Sequence, residues 1–267
     1  MDRPRTGFAY LDDVGGTSVI AMAHRGGAGH PDLAGLENTA RAFRHAVGLG
    51  YRYLETDVHA TRAGLIAFHD DVLDRTTDGT GAVAVAERSA LGAARIGGTE
   101  AIPMMADLLE EFTDCRFNID LKGEGAGEAL ADLLDRTGAH DRVCVGSFSV
   151  RRLDAFRSRT GGRVATSAAP SEVAAFLLPV PGRAARSITR GRVAALQVPH
   201  RRGPLPVVTG SLVRRAHAAG AQVHVWTVDE VDEMNELLDL GVDGLITDRT
   251  DLLKPVLESR GLWRDPV

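Results

Sequence analysis

The chain has 267 residues, close to the ~250 that one closed α/β barrel takes, so a single domain over 1–267 is expected. Its formal net charge of -5 provides no global basic field and argues against a nucleic-acid partner. Aliphatic residues and alanine are plentiful and aromatics few, a balance that suits parallel strands under helices and excludes a disordered chain.

The opening residues Met1 to Thr6 carry charges with no apolar run behind them, so no secretory signal is read and a cytoplasmic location is expected. From there, short apolar runs alternate with helical patterns, punctuated by Gly, Pro, Asp and Ser, as in βα units. The strand candidates are Val19–Ala23, Tyr53–Val58, Leu65–Phe68, Phe117–Leu121, Val143–Phe148, Val164–Ser167, Ala194–Val198, Gln222–Val228 and Gly244–Thr247. These nine are one too many for an eight-stranded ring, and Val164–Ser167 is the weakest of them. Between them the period shifts to 3.6: Thr39–Gly48 carries Ala40, Phe43 and Val47 on one face, with Asn38 as its expected cap. Further helices are read at Met104–Phe112, Ala126–Thr137, Val150–Arg159, Ser211–Ala219, Glu230–Leu240 and Thr250–Arg260. No strand is assigned between Asp71 and Pro103, so a small insertion, about 71–103, is placed after the third strand, over one side of the mouth. Gly182–Arg192 reads as a loop or short helix. The apolar stretch Val173–Val180 is too short to span a bilayer, which needs about 20 residues, and no integral membrane segment is expected. Cys115 and Cys144 read as buried free thiols.

The architecture expected is therefore an α/β fold, a (β/α)8 TIM barrel. Such a barrel presents its chemistry from the C-terminal ends of several strands, and that is where acids and histidines fall here. His24 and Arg25 follow the first run, Glu55 and Asp57 close the second, His69 and Asp70 the third, Asp120 and Lys122 the fourth. Residues two apart on a strand share a face. Three carboxylates, Glu55, Asp57 and Asp120, thus converge with a lysine in an apolar mouth. Their mutual repulsion calls for a cation, and all-oxygen ligation favours Mg²⁺ or Ca²⁺ over zinc.

These residues sit in ordered motifs: His24-Arg25-Gly26, Glu37-Asn38-Thr39, Glu55-Thr56-Asp57, His69-Asp70, Arg75-Thr76-Thr77-Asp78-Gly79-Thr80-Gly81, Asn118-Ile119-Asp120-Leu121-Lys122 and Trp226-Thr227-Val228. In that order, from about residue 20 to 252, the sequence resembles the glycerophosphodiester phosphodiesterase family. The resemblance implies the barrel, a divalent metal, and hydrolysis of a small-molecule glycerophosphodiester to glycerol 3-phosphate and an alcohol. It carries the family's metal ligands onto Glu55, Asp57 and Asp120, and its catalytic histidine pair onto His24 and His69. It also draws Glu37 toward substrate binding and makes Trp226 a flat wall beside the glycerol. There are departures. The third ligand is usually Glu and is Asp120 here, Leu36 stands where Pro is common, and the Gly26–Leu36 loop is longer than usual, which bears on the leaving-group pocket.

Phosphodiester cleavage needs a nucleophile relieved of a proton, a leaving oxygen supplied with one, and neutralised phosphoryl oxygens. Imidazole titrates near neutrality and serves either proton role. Arg25 and Lys122 suit the phosphoryl oxygens. Which histidine is acid, and whether water or a glycerol hydroxyl attacks, stay open from sequence. Two rivals are carried: a lyase similar to the sphingomyelinase D group, which would leave a cyclic phosphate, and a non-catalytic module that binds phosphorylated head groups.

Other signals are set aside. Gly26-Gly27-Ala28-Gly29 lacks a dinucleotide fingerprint's third glycine, and Gly146-Ser147-Phe148-Ser149 lacks a nucleophile elbow's second. His30, His45, His59, His140, His200, His217 and His224 are taken as structural, without matching partners. Arg183, Arg186, Arg190, Arg192, Arg201 and Arg202 are taken as a solvated face. A weak homo-oligomer is left open.

Overall fold

The computed structural model describes residues 3–12 and 19–263. Thirteen strands occur among them: β1 Ile20–Ala23, β2 Tyr53–Thr61, β3 Gly64–Ala67, β4 Arg95–Ile96, β5 Glu100–Ala101, β6 Arg116–Leu121, β7 Val143–Gly146, β8 Ala165–Thr166, β9 Ala195–Pro199, β10 Arg201–Arg202, β11 Leu205–Pro206, β12 Gln222–Trp226 and β13 Gly244–Thr247. Eight of these form a parallel ring in the order β8-β7-β6-β2-β1-β13-β12-β9, and a parallel bridge between Ser167 and Ala195 joins its two ends. The barrel expectation holds.

The choice of the surplus strand does not. Val164–Ser167 contributes β8, a ring member that pairs in parallel with β7. The run Leu65–Phe68 contributes β3, which pairs antiparallel with β2, Thr61 against Gly64 and Val58 against Ala67. Both are short apolar runs, and only the tight Arg62-Ala63 turn before Gly64 separates a hairpin return from a crossover. The insertion accordingly leaves the barrel after its second ring strand. It holds the small β4–β5 hairpin and short helices at Val83–Val85 and Arg88–Ala93, and it closes over its own cluster of Ile66, Phe68, Leu73, Val83 and Ile96.

Alternation along the ring strands sorts the remaining side chains. One parity (Leu54, Val58, Phe117, Ile119, Val143, Val145, Leu196, Val223, Leu245) packs outward into the main core under the helices. The other parity (Ile20, Met22, Tyr53, Cys144, Ala195, Ile246) fills the lumen, and Tyr10 and Leu11 from the short helix Ala9–Asp12 join that cluster. Burying these methyls and methylenes contributes about 0.8 kcal/mol per CH₂. Cys115 and Cys144 are buried and free.

The helix after β1 covers Ala40–Gly48, and its cap is Thr39, whose hydroxyl accepts from the Ala42 amide. Asn38 is thereby corrected as cap: it sits buried at φ +59°, accepts from the Thr56 hydroxyl at 2.7 Å and donates to Asp57 at 3.3 Å. An αL conformation suits Asn and leaves the capping position to the next residue. Val173–Val180 starts inside a helix, Pro170–Leu177, and a second helix follows at Gly182–Ile188. No helix among the described residues is long and apolar enough to cross a membrane.

Candidate active site

A cavity of about 660 Å³ opens at the C-terminal ends of the ring strands, lined by His24, Arg25, Glu55, Asp57, His69, Asp120, Lys122 and Trp226 among others. The strand residues among these belong to the inward parity, which is why residues scattered along the chain meet. In the β2–β6 register Glu55 lies beside Asn118 and Asp57 beside Asp120, so the carboxylates form two layers.

His24 is delivered by the turn after β1, where Arg25 takes φ +50° and Gly26 φ +87°. A Cβ on Gly26 would lie 2.7 Å from that of Ala42, so only glycine lets the turn press onto the helix behind it. The imidazole donates through Nδ1 to Asp248 at 2.8 Å and holds Nε2 at 3.8 Å from Glu55. Burial works to lower its pKa, but Glu55 and Asp248 outweigh that and the net shift is upward.

His69 arrives differently. β2 runs four residues past Asp57, turns, and returns as β3, where the Phe68 amide bonds the Asp57 carbonyl at 2.9 Å. His69 therefore emerges level with Asp57 from an antiparallel arm, not from the end of a ring strand. Its Nδ1 bonds Asp70 at 2.5 Å, and Arg75 grips Asp70 from the other side. That guanidinium, ahead of burial, holds the Asp70 carboxyl well below the usual range.

The acids are unevenly neutralised. Lys122 Nζ bridges Asp57 at 2.9 Å and Asp120 at 2.7 Å. Burial pushes the Asp57 carboxyl up, yet Lys122 and Arg25 prevail and its pKa falls. For Asp120 burial prevails over Lys122 and the pKa rises. Glu55, buried and beside Asp57, is raised to about 7; it accepts a hydrogen bond from the Arg25 amide at 3.1 Å. An acid held near neutrality by burial and a like charge marks a site short of positive charge, and the hard oxygen donors fit a divalent ion such as Mg²⁺ or Ca²⁺. The three acids are not drawn to ligand spacing: among the described residues, the trio whose ligand atoms lie within 4.8 Å of one another is His30, Asp32 and His45.

Glu37 does not line the cavity. It sits behind Arg25, which it bonds at 2.9 Å, and accepts both terminal nitrogens of Arg75, so it braces the two arginines. Trp226 packs edge-on to Phe148, ring centroids 6.1 Å apart, and the Lys122 ammonium stands 5.8 Å over the Phe148 ring. The set-aside histidines do have partners: His200 bonds Glu233 at 2.7 Å, His217 bonds Asp243 at 2.8 Å, and His59 meets the His69 carbonyl at 3.2 Å. Of the arginine run, Arg192 pairs with Asp154 and Arg201 with Glu236, and Arg202 lines the cavity.

Sequence reading missed Asp248, Phe148 and Gln197. Asp248 directly follows the apolar run Gly244–Thr247, the same position that singles out His24 after Val19–Ala23 and His69 after Leu65–Phe68. Asp248→Asn is expected to reduce kcat about tenfold or more by removing the negative charge that holds the His24 Nδ1 proton. Because Asp248 raises the His24 pKa, the His24 limb of the kcat–pH profile should move to lower pH; an unmoved limb would remove Asp248 from this role.

Comparison with known proteins places the sequence and the barrel in one family. The sequence model described as "Glycerophosphoryl diester phosphodiesterase family" matches residues 24–252. The Mycobacterium tuberculosis protein named "Probable glycerophosphodiester phosphodiesterase 2" is 43% identical over 247 residues, covering 91% of this chain and 92% of the relative. A crystal structure of a Silicibacter pomeroyi protein assigned to the same family superposes with TM-score 0.81 at 21% identity, over 97% of this chain and all of that one (100%). An Oleispira antarctica phosphodiesterase solved with its product sn-glycerol-3-phosphate superposes with TM-score 0.74 at 22% identity, over 89% of this chain and 96% of that one. With most of its length matched and the barrel shared, the chain belongs to the glycerophosphoryl diester phosphodiesterase family.

Proposed function

We propose that this protein hydrolyses glycerophosphodiesters to sn-glycerol 3-phosphate and an alcohol, with a divalent metal and with His24 and His69 moving the protons. The observation that carries this reading is the meeting of two imidazoles at one cavity, each tied through Nδ1 to its own carboxylate. That tie fixes the ring and leaves Nε2 as the nitrogen able to give or take a proton. The product named for the Oleispira structure supports the same substrate class.

Glu55, Asp57 and Asp120 would hold the metal, Mg²⁺ or Ca²⁺, which supplies charge neutralisation at the phosphoryl oxygens. Arg25 offers a fork of donors to those oxygens and Lys122 a point charge. Glu37 acts on the substrate through Arg25, which it orients. Trp226 and Phe148 form an apolar wall along one side.

The test is product analysis of glycerophosphocholine incubated with Mg²⁺ or Ca²⁺. Free sn-glycerol 3-phosphate and choline are expected. A stable cyclic phosphate would assign the lyase chemistry instead, and metal-supplemented protein without turnover of any glycerophosphodiester would end the reading.

A further inference from the structure

The lumen below the cavity holds an unbroken file of polar side chains among apolar ones. Asn118, Gln197 and His224 lie on β6, β9 and β12, and Gln222 lies two residues below His224. Gln222 and His224 are fully buried, and Asn118 is 4% exposed. Four contacts link them to the N-terminal segment. Gln222 Nε2 reaches the Leu11 carbonyl at 3.3 Å, His224 Nε2 reaches Gln222 Oε1 at 3.1 Å, Gln197 Nε2 stands 3.4 Å from His224 Nδ1, and Gln197 Nε2 reaches Asn118 Oδ1 at 2.7 Å.

The direction of this file is not free. A backbone carbonyl only accepts, so the Leu11 carbonyl forces the amide nitrogen of Gln222 toward it. Arg3, which only donates, meets Gln222 Oε1 at 3.3 Å and enforces the same choice. Gln222 Oε1 then requires a proton on His224 Nε2. Burial lowers the His224 pKa to about 4, so the ring is neutral and Nδ1 is a bare acceptor. Nδ1 accepts from the Gln197 amide nitrogen, the same nitrogen donates to Asn118 Oδ1, and the Asn118 NH₂ is left to point away from the file. Reversing Gln222 would set donor against donor at Arg3 and acceptor against acceptor at Leu11. Reversing Gln197 would set its oxygen against His224 Nδ1 and Asn118 Oδ1, and reversing Asn118 would set its NH₂ against that of Gln197.

Asn118 and Gln197 both line the cavity, and no acceptor among the described residues takes Asn118 Nδ2. It shares that cavity with Glu55, Asp57 and Asp120, whose charge would repel a phosphate. We propose that Asn118 is a substrate-binding residue whose amide donates to a phosphoryl oxygen of the bound diester and of its phosphomonoester product, and that the file anchored at Leu11 and Arg3 fixes this orientation. Gln197, His224 and Gln222 are positioning residues. The inference rests on the functional reading above; phosphate binding is measured here without turnover, so the two can fail separately.

The test measures inorganic phosphate binding by calorimetry at saturating Mg²⁺, alongside kcat/KM for glycerophosphocholine and the melting temperature. Asn118→Asp keeps an acceptor for Gln197 and so preserves the file, but removes the donor. It is expected to weaken phosphate binding and kcat/KM by about 10- to 100-fold, the worth of one hydrogen bond to a charged group. Gln197→Met leaves Asn118 untouched but free to turn over, and is expected to weaken phosphate binding about three- to tenfold with a folded melting transition. Wild-type phosphate affinity in Asn118→Asp would overturn the binding role, and wild-type affinity in Gln197→Met would overturn the orientation by the file. Phosphate binding lost in both variants, in protein that never turns over a glycerophosphodiester, would sink the functional reading and leave the phosphate site standing.

Discussion

Replacing either histidine should cost the enzyme most of its turnover: His24→Ala and His69→Ala are each expected to lower kcat by about 10²–10⁴-fold. The physical ground is that each imidazole is already oriented in the free protein, His24 by Asp248 and His69 by Asp70, which Arg75 holds in turn. Neither ring is needed for packing, since both stand at the cavity surface, so melting temperatures should stay near wild type. A leaving group of low pKa, such as p-nitrophenol, needs no proton, so one variant should recover activity on such a diester and thereby identify the acid. If either alanine variant turns over glycerophosphocholine at the wild-type rate, that histidine is not part of the chemistry.

Stripping divalent ions with a chelator should lower kcat/KM by about 10²–10⁴-fold, the several kcal/mol that a Lewis acid contributes at a phosphoryl group, with recovery on adding Mg²⁺ or Ca²⁺. The dependence should also be linked to pH through Glu55. That carboxyl titrates at about 7 in the metal-free protein because burial and Asp57 hold its proton, and a ligand must lose its proton to bind. Above pH 7 the proton is already gone and the half-saturating metal concentration should be flat. Below pH 7 metal and proton compete, and that concentration should rise as pH falls. Activation curves at pH 6 and pH 8 that coincide would remove Glu55 from the ligand set, and full activity in chelator would remove the metal.

Much of this site was legible from residue spacing because a barrel strand is a ruler of period two. Once Glu55 and Asp57, and Asp120 and Lys122, are placed on strands, their shared face follows, and the ring does the rest. What could not be read was which short apolar run belongs to the ring. Leu65–Phe68 and Val164–Ser167 look alike as apolar runs; what separates them is the partner, β2 directly across a two-residue turn for the first and β7 beyond an intervening helix for the second. Asn38 was misread for a related reason: as a cap it satisfies a local rule, but the αL backbone and the demand of buried Thr56 and Asp57 override it. Glu37 was legible as an acid of the site region but not as a brace, because Arg75 meets it only through the fold. Polar residues inside apolar strands, Gln197 and His224, were the unread signal of the lumen file.

The hairpin arm that delivers His69 gives the two imidazoles of the cavity different mechanical supports. One is bolted to the wall of the ring, while the other is cantilevered from an excursion with its own small nucleus of Leu73, Val83 and Ile96. Truncating a side chain of that nucleus is expected to displace His69 and lower turnover more than it lowers the melting temperature of the barrel. Turnover and heat resistance are then expected to be adjustable at different addresses in the sequence.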